Sequence, residues 1–131
     1  MTSVSPGIAR IGQIAIPVAD VERAVTFYGE VLGLRLLFRA PPGLAFFDCG
    51  GVRLMLSRPE GVETPVRAGL LYYFVPDIGA AHATLVERGV HFVESPRRVA
   101  RLPDHDLWLA VFRDSEGNLL ALMSEVRPPS P

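Results

Sequence analysis

Apolar positions along the chain follow one order of patterns, and that order occurs twice. Residues 14–18 form an apolar run that is followed by Asp20 and an amphipathic stretch, and residues 71–75 are followed in the same way by Asp77. A short apolar run predicts a strand, and an aspartate before an amphipathic stretch is typical of a helix N-cap. The two aspartates are 57 positions apart, which indicates an internal repeat.

Each predicted helix ends at a glycine. Glu30 is followed by Gly33 in the first copy, and Glu87 is followed by Gly89 in the second. Glycine is the residue that most easily adopts the left-handed conformation that commonly ends a helix. We therefore expect both helices to end with a left-handed glycine cap.

Alternating apolar and polar residues after each helix predict three strands in each copy. These strands cover residues 34–39, 44–48 and 52–57 in the first copy and residues 91–95, 107–114 and 118–124 in the second. Residues 46–56 correspond to residues 112–122 at a constant offset of 66. Proline and glycine mark loops at residues 41–43, 59–65 and 96–103. Each half of the chain is therefore predicted to be β-α-β-β-β.

The length of 131 residues suits one domain, which we place at residues 8–126. Its two modules cover about residues 8–58 and 68–126, residues 59–65 form the seam, and residues 1–7 and 127–131 are expected to be frayed tails. Each module is small and buries little surface alone. The modules are therefore expected to share a surface or to pair with another copy.

The charges are balanced, with 13 basic and 14 acidic side chains and a formal net charge of −1. This balance argues against nucleic acid or an anionic membrane as a partner. No apolar run approaches the length of about 20 residues that crosses a bilayer, the start lacks the pattern of a signal peptide, and Cys49 is the single cysteine. We therefore expect a soluble protein of the cytoplasm. Because every basic residue is arginine, catalysis by a lysine is excluded.

Residues 11–20, 24–34 and 112–122 together resemble the vicinal oxygen chelate superfamily. That group contains glyoxalase I, methylmalonyl-CoA epimerase, extradiol dioxygenases and the bleomycin and fosfomycin resistance proteins. The resemblance covers residues 11–126 and implies an α+β fold, the glyoxalase/bleomycin resistance/dihydroxybiphenyl dioxygenase-like fold. Two tandem βαβββ modules then form a curved open barrel with a concave cleft. Homodimers are frequent in the superfamily, so a homodimer is expected here.

Members of the superfamily that use a metal carry four ligands on inward faces of the first and last strand of each module. The resemblance places Gln13, Met55, Leu70 and Ala121 at these four positions. Three of these side chains are not hard-metal ligands, whereas divalent ions prefer carboxylate or imidazole groups. A slip of one residue in register restores no ligand set either. We therefore predict no metal cofactor, with a divalent metal at a non-standard site as the alternative.

Alternation along the strands also indicates which side chains face the cleft. Arg53 is predicted to point inward beside Met55, where a guanidinium could fix an anion or pair with a carboxylate. Four further residues could line a pocket for a flat organic molecule or could fill core or dimer interface instead: Tyr72, Phe74, Trp108 and Met123.

His105 is the one histidine whose neighbours in the sequence suggest a chemical role. It lies between Asp104 and Asp106 in a loop before a predicted strand. Two flanking carboxylates would favour the imidazolium cation, which suits anion binding or general acid catalysis. A solvated turn without chemistry is the competing interpretation, so His105 is a weak catalytic candidate.

These observations lead to a preferred hypothesis and two alternatives. The preferred one is a metal-free member of the superfamily that binds a small organic molecule through seven residues: Gln13, Arg53, Met55, Tyr72, Phe74, His105 and Trp108. The first alternative is a metal-dependent lyase, isomerase or dioxygenase of the glyoxalase I type that uses Gln13 and His105 at a non-standard site. The second is a protein whose cleft is filled by its own side chains and serves only assembly. Whether the protein is an enzyme stays open at this point.

Overall fold

The computed structural model describes residues 5–40, 43–58 and 69–127, and both halves contain one helix and four strands. The first half consists of β1 (Gln13–Pro17), α1 (Val21–Thr26) continued by a π-helical segment (Phe27–Val31), β2 (Arg35–Ala40), β3 (Leu44–Cys49) and β4 (Val52–Ser57). The second half consists of β5 (Leu71–Phe74), α2 (Ile78–Glu87), β6 (Phe92–Arg101), β7 (Asp106–Arg113) and β8 (Leu119–Val126). The predicted βαβββ order is therefore confirmed in both halves.

The strands form two four-stranded sheets with the same arrangement. The first sheet has the order β1-β4-β3-β2, and the second has the order β5-β8-β7-β6. The first strand of each half pairs in parallel with the last, and the other neighbours are antiparallel. The two sheets are open and are not joined by strand pairing into a closed barrel within the described residues.

Both helices begin and end where the sequence pattern predicts. The carboxylates of Asp20 and Asp77 accept hydrogen bonds of 3.0 Å from the backbone N–H groups of Arg23 and Ala80, which is the N-cap geometry. The glycines after the helices adopt positive φ angles, +80° at Gly33 and +88° at Gly89. Both left-handed caps are therefore confirmed.

One hydrophobic core joins the two halves. The buried faces of β1 and β4 carry Ile16, Leu54 and Leu56, as the alternation predicts. These side chains belong to the same buried cluster as Leu85 of α2 and Phe112 of β7. Since neither half could bury enough apolar surface alone, sharing a core stabilises both.

Strand β6 is longer than predicted. The expected loop at residues 96–103 is wrong for most of its length, because β6 continues through Pro96 to Arg101. The pairing with β7 shifts register between Glu94 and Arg97, around this proline. Proline is compatible with an edge strand at such an irregularity, and β6 is an edge strand.

The turns that close the two modules differ by one residue. Cys49 pairs with Val52 across a two-residue turn, whereas Asp114 pairs with Asn118 across a three-residue turn. The offset of 66 therefore holds between β4 and β8, but β3 and β7 correspond at an offset of 65. As a result, the structural counterpart of Asp114 is Cys49 and not Asp48.

The longer turn contacts the start of the other module's helix through Glu116. One carboxylate oxygen of Glu116 accepts hydrogen bonds from the backbone N–H groups of Ala19 and Asp20, at 3.0 and 2.9 Å. The Arg23 guanidinium donates to both carboxylate oxygens, and the Ser115 hydroxyl donates to one of them. The Glu116 side chain is only 2% exposed. These hydrogen bonds, led by that from Arg23, lower the pKa of Glu116 to about 2.

Asp114 provides the buried half of the same contact. Its carboxylate accepts a 2.8 Å hydrogen bond from the Tyr28 hydroxyl in the π-helical segment. It also accepts from the backbone N–H groups of Glu116 and Asn118 and from the Asn118 side-chain amide. That amide also donates to the Pro17 carbonyl at 2.9 Å. We call Arg23, Tyr28, Asp114, Glu116 and Asn118 the clamp, because they fasten the second module to the first.

Replacing Glu116 with glutamine is expected to lower the free energy of unfolding by about 2 kcal/mol at pH 7. Because the pKa of Glu116 is held at about 2, below its ordinary 4.5, its charge stabilises the fold fully above about pH 4.5. That stabilisation disappears as the pH falls towards 2. Urea denaturation of the parent and of E116Q across this range measures the effect. Glu22→Gln, at an exposed glutamate of α1, is the control and should change little; an equal loss in E22Q would contradict the prediction.

Tyr28 and Tyr73 offer a matched pair of hydroxyl deletions. Tyr28→Phe removes a donor from the buried Asp114 carboxylate and is expected to cost about 1–3 kcal/mol of unfolding free energy. Tyr73→Phe removes a buried hydroxyl that has no hydrogen-bond partner among the described residues, so its effect should be near zero or slightly stabilising. Equilibrium denaturation of both variants tests the contrast, and equal destabilisation would argue against the role of the clamp.

Candidate functional site

Each sheet has one face packed on the core and one face that carries the alternate side chains, which we call its open face. On β1, Ile16 lies on the core side with 1% exposure, whereas Gln13 and Ala15, on the alternate face of the strand, are exposed. On β4, Leu54 and Leu56 lie on the core side, and Arg53 is exposed. The predicted cleft residues are therefore expected on the open faces.

The open face of the first sheet carries a group of interacting side chains. The rings of Phe38 and Phe46 stack with centroids 4.5 Å apart. The Arg53 guanidinium carbon lies 5.6 Å from the centroid of Phe46, a cation–π contact. The Gln13 amide donates to the Met55 sulfur at 3.6 Å. We call these five residues the platform.

The platform results from strand register. Gln13 lies opposite Arg53, and Met55 lies opposite Phe46 on the adjacent strand. Phe46 in turn lies opposite Phe38 on β2. The structure thus brings together the predicted residues Gln13, Arg53 and Met55 on one face.

Phe38 and Phe46 are site residues that the sequence reasoning missed. Phe46 could have been found, because antiparallel pairing across the turn places it beside Met55 on the same face. Phe38 could not, because β2 shifts its register between Leu36 and Phe38, and such an irregularity changes which face the following residues occupy.

The charge of Arg53 is available on this face. Among the residues that the structure describes, no carboxylate lies within ion-pair distance of its guanidinium, whereas the neighbouring Arg35 lies 4.0 Å from Asp48. Phe38 is 47% exposed and Phe46 only 8% exposed. The platform therefore offers an accessible aromatic surface beside a cation.

The open face of the second sheet is apolar and exposed. Tyr72 and Phe74 are 50% and 61% exposed, and they lie opposite Ala121 and Met123 of β8. The predicted residues Tyr72, Phe74 and Met123 therefore share one face. No described hydrogen bond, ion pair or aromatic contact joins this face to the platform on the first sheet.

Trp108 does not share that face, so its predicted position in the cleft needs correction. It lies opposite Ser124, which is 1% exposed, and it packs against the hydrophobic core. Its strand neighbours Leu107 and Leu109 lie opposite Glu125 and Met123 on the open face instead. Side chains along a strand alternate between its two faces, and Trp108 lies on the face that packs against the core.

His105 lies in the β6–β7 hairpin and is held between two carboxylates. Its Nδ1 is 2.8 Å from the Asp104 carboxylate, and its Nε2 is 3.8 Å from the Glu125 carboxylate. Asp106, the other flanking aspartate, faces Arg98 and Arg101 instead. Hydrogen bonds from Arg127 and His105 lower the pKa of Asp104. His105 thus lies at the end of the second sheet, and no described contact joins it to Gln13 on the first.

The four positions implied for metal ligands do not fit a divalent ion. Gln13 and Met55 contact each other through an amide and a thioether, Leu70 is an exposed aliphatic side chain, and Ala121 is fully buried. None of the three residues other than Gln13 offers oxygen or nitrogen from its side chain. Within the described ranges, no three His, Cys, Asp or Glu side chains are grouped as metal ligands would be.

The fold and these faces define a protein built from paired βαβββ modules. A family model for the Glyoxalase/Bleomycin resistance protein/Dioxygenase superfamily matches residues 10–122. The chain belongs to this superfamily. No curated protein sequence matches it significantly.

Solved structures with the same fold include three informative examples. A member of the superfamily from Sphaerobacter thermophilus DSM 20745 is 27% identical, with 90% of this chain and 98% of that chain covered and a TM-score of 0.76. Lactoylglutathione lyase from Agrobacterium tumefaciens is 22% identical, with 92% and 96% covered and a TM-score of 0.72. TioX from Micromonospora sp. ML1 is 23% identical, with 90% and 100% covered and a TM-score of 0.72.

In the described part of the chain, neither helix is long and apolar enough to cross a bilayer.

Proposed function

We propose that the protein binds a small organic molecule with an aromatic ring and an anionic group on the open face of its first sheet. The observation that carries this proposal is the platform, in which Arg53 lies over Phe46 and Phe46 stacks on Phe38. Aromatic surfaces bind flat rings by stacking, and an arginine such as Arg53, which has no ion-pair partner among the described residues, attracts an anion.

Each platform residue would make a different contact with the ligand. The exposed ring of Phe38 would stack on the ligand ring, and the Arg53 guanidinium would bind a carboxylate or phosphate. Gln13 would orient the ligand through a hydrogen bond, since its contact with the Met55 sulfur is weak and can be exchanged for a better one. No part of this scheme requires a metal.

A second copy of the chain would complete the site. The second sheet exposes Leu70, Tyr72 and Phe74 on its open face, and contiguous exposed apolar side chains are typical of protein or ligand contacts. We propose a homodimer in which this face lies opposite the platform of the other copy. A cytoplasmic location and the absence of nucleic-acid partners remain predictions.

Binding can be measured with 2-naphthoate, which combines the ring and the anion, and with 2-naphthylmethanol as its neutral analogue. Arg53→Met should weaken binding of 2-naphthoate about tenfold and leave the neutral analogue unaffected. Phe38→Ala should weaken both about fivefold, because the stacking surface is lost. Isothermal titration calorimetry gives the dissociation constants.

Arg97→Met is the matched control, since Arg97 is an exposed arginine on β6 with a single ion pair of 3.5 Å to Glu94. It should bind both compounds like the parent. Equal losses in R53M and R97M, or no saturable binding by the parent, would overturn the proposal; the latter would favour a protein whose open faces serve assembly alone.

The second candidate function is a metal-dependent lyase, isomerase or dioxygenase of the glyoxalase I type. It is favoured by the family and by the likeness to a lactoylglutathione lyase, and it is weakened by the side chains at the four implied ligand positions. Elemental analysis of the purified protein separates the two. Stoichiometric Ni, Zn, Co, Mn or Fe that survives dialysis would replace the metal-free proposal with this one.

The homodimer is tested by sedimentation equilibrium. Phe74→Glu places a charge on the open face of the second sheet and should shift the protein towards monomer by at least tenfold in dissociation constant. Val86→Glu, at an exposed position of α2, is the control and should leave the dimer intact. A monomeric parent at micromolar concentration would contradict the proposed assembly.

A further inference from the structure

A row of charged side chains crosses the open face of the first sheet. Arg35 lies opposite Asp48, and Asp48 lies opposite Arg53 on the next strand. Gln13 continues the row on β1, opposite Arg53. Directly opposed residues place their side chains on the same face of a sheet, with Cβ atoms about 4.5–5.5 Å apart. The open face therefore carries a carboxylate between two guanidinium groups.

Asp48 lies on the platform side of β3. It is two positions from Phe46, whereas Phe47 between them is fully buried in the core. Because side chains alternate along a strand, the Asp48 carboxylate and the Phe46 ring share the open face. The Asp48 side chain is 35% exposed, so a ligand on the platform can reach it.

The Asp48 carboxylate keeps most of its capacity to accept hydrogen bonds. Among the described residues it accepts none, and its one ion pair is a long contact of 4.0 Å with Arg35. The Arg35 side chain is 75% exposed. An ion pair this long and this exposed contributes little to stability, so a ligand cation can compete for the carboxylate.

Arg53 and Asp48 lie side by side but do not pair with each other within the described part of the chain. The Arg53 guanidinium carbon lies over the Phe46 ring instead, 5.6 Å from its centroid. An anion bound to Arg53 would thus lie close to the Asp48 carboxylate, and like charges at this range repel. A ligand with a cationic group next to its anion would bind both side chains and remove the repulsion.

We propose that the platform selects an aromatic α-amino acid over a simple aromatic anion. The ligand carboxylate binds Arg53, the adjacent α-ammonium binds Asp48, and the ring stacks on Phe38. An α-amino acid carries both charges on one carbon, which matches a cation and an anion on opposed residues of adjacent strands. The inference rests on the proposed binding function and narrows its ligand class, with Asp48 as the residue that determines specificity.

The test uses three compounds with one ring system. They are 3-(2-naphthyl)-L-alanine, 3-(2-naphthyl)propanoate, which lacks the ammonium, and 2-(2-naphthyl)ethylamine, which lacks the carboxylate. Isothermal titration calorimetry at pH 7 and low ionic strength gives the dissociation constants. The parent is expected to bind the amino acid about five- to tenfold more tightly than either analogue, because only the amino acid meets both charges.

Asp48→Asn should change the affinities for the amino acid and the propanoate in different directions. It should weaken the amino acid about tenfold, because the ammonium loses its carboxylate partner. It should bind the propanoate as well as the parent does or about two- to threefold more tightly, since the repulsion is removed. Asp106→Asn is the matched control, because it removes a carboxylate of 31% exposure that faces Arg98 and Arg101 on the second sheet. D106N should bind all three compounds like the parent.

Arg35→Met tests the same assignment from the other side of Asp48. Removing the Arg35 guanidinium leaves the carboxylate to the ligand, so the amino acid and the amine should bind about two- to threefold more tightly, and the propanoate should not gain. If D48N does not fold, this variant decides.

Equal binding of the amino acid and the propanoate by the parent, or an unchanged affinity of D48N for the amino acid, would overturn the inference. So would an R35M variant that gains no affinity for the amino acid. In each case 2-naphthoate binding that depends on Arg53 and Phe38 would leave the proposed function intact, whereas a parent that does not bind 2-naphthoate would overturn both.

Discussion

The fold depends on how one turn of the second module holds the first helix. Glu116 accepts hydrogen bonds from the N–H groups just before α1, and Asp114 accepts one from the Tyr28 hydroxyl in the π-helical segment that continues α1. Both carboxylates are nearly removed from water, with their hydrogen bonds made to several donors each. A buried carboxylate without partners is costly, so this contact is stable only when the two halves are correctly apposed. The clamp thus adds a geometric requirement to a relative placement that the shared core also stabilises.

The two modules share one element order and one strand order, but the contacts between them are unequal. A turn longer by one residue supplies the carboxylates on one side, and small side chains occupy the equivalent place on the other. The same difference of one residue changes which positions of β3 and β7 correspond. Hydrogen bonds therefore hold α1 to the β7–β8 turn, whereas the equivalent place beside α2 carries Ala80, Leu85 and Cys49.

The sequence was sufficient to predict the βαβββ order, the helix caps and the faces of β1, β4 and β5, because these depend on local periodicity and on capping residues. It placed Gln13, Arg53 and Met55 on one face for the same reason. Trp108 was assigned to the wrong face because no nearby residue in the sequence showed which side chains of β7 face the core. Phe38 was missed because the register shift in β2 depends on its pairing with β3. The length of β6 could not be predicted from the sequence either, since whether a proline ends a strand depends on whether that strand lies at the edge of its sheet. Contacts between modules, including the clamp, arise from tertiary placement that periodicity does not describe.

The register shift in β2 has a consequence for how such proteins diversify. β2 is the edge strand of its sheet, so an irregularity there rotates a side chain onto the open face without disturbing β1 or β4, which border the core. The stacked pair of Phe38 and Phe46 exists because of that rotation. Inserting or deleting one residue in this edge strand would replace the exposed ring by a different neighbour while the clamp and the core stay the same. Evolution can therefore alter the open face through the outermost strand at little cost to folding, which is one route by which a single scaffold acquires many ligands.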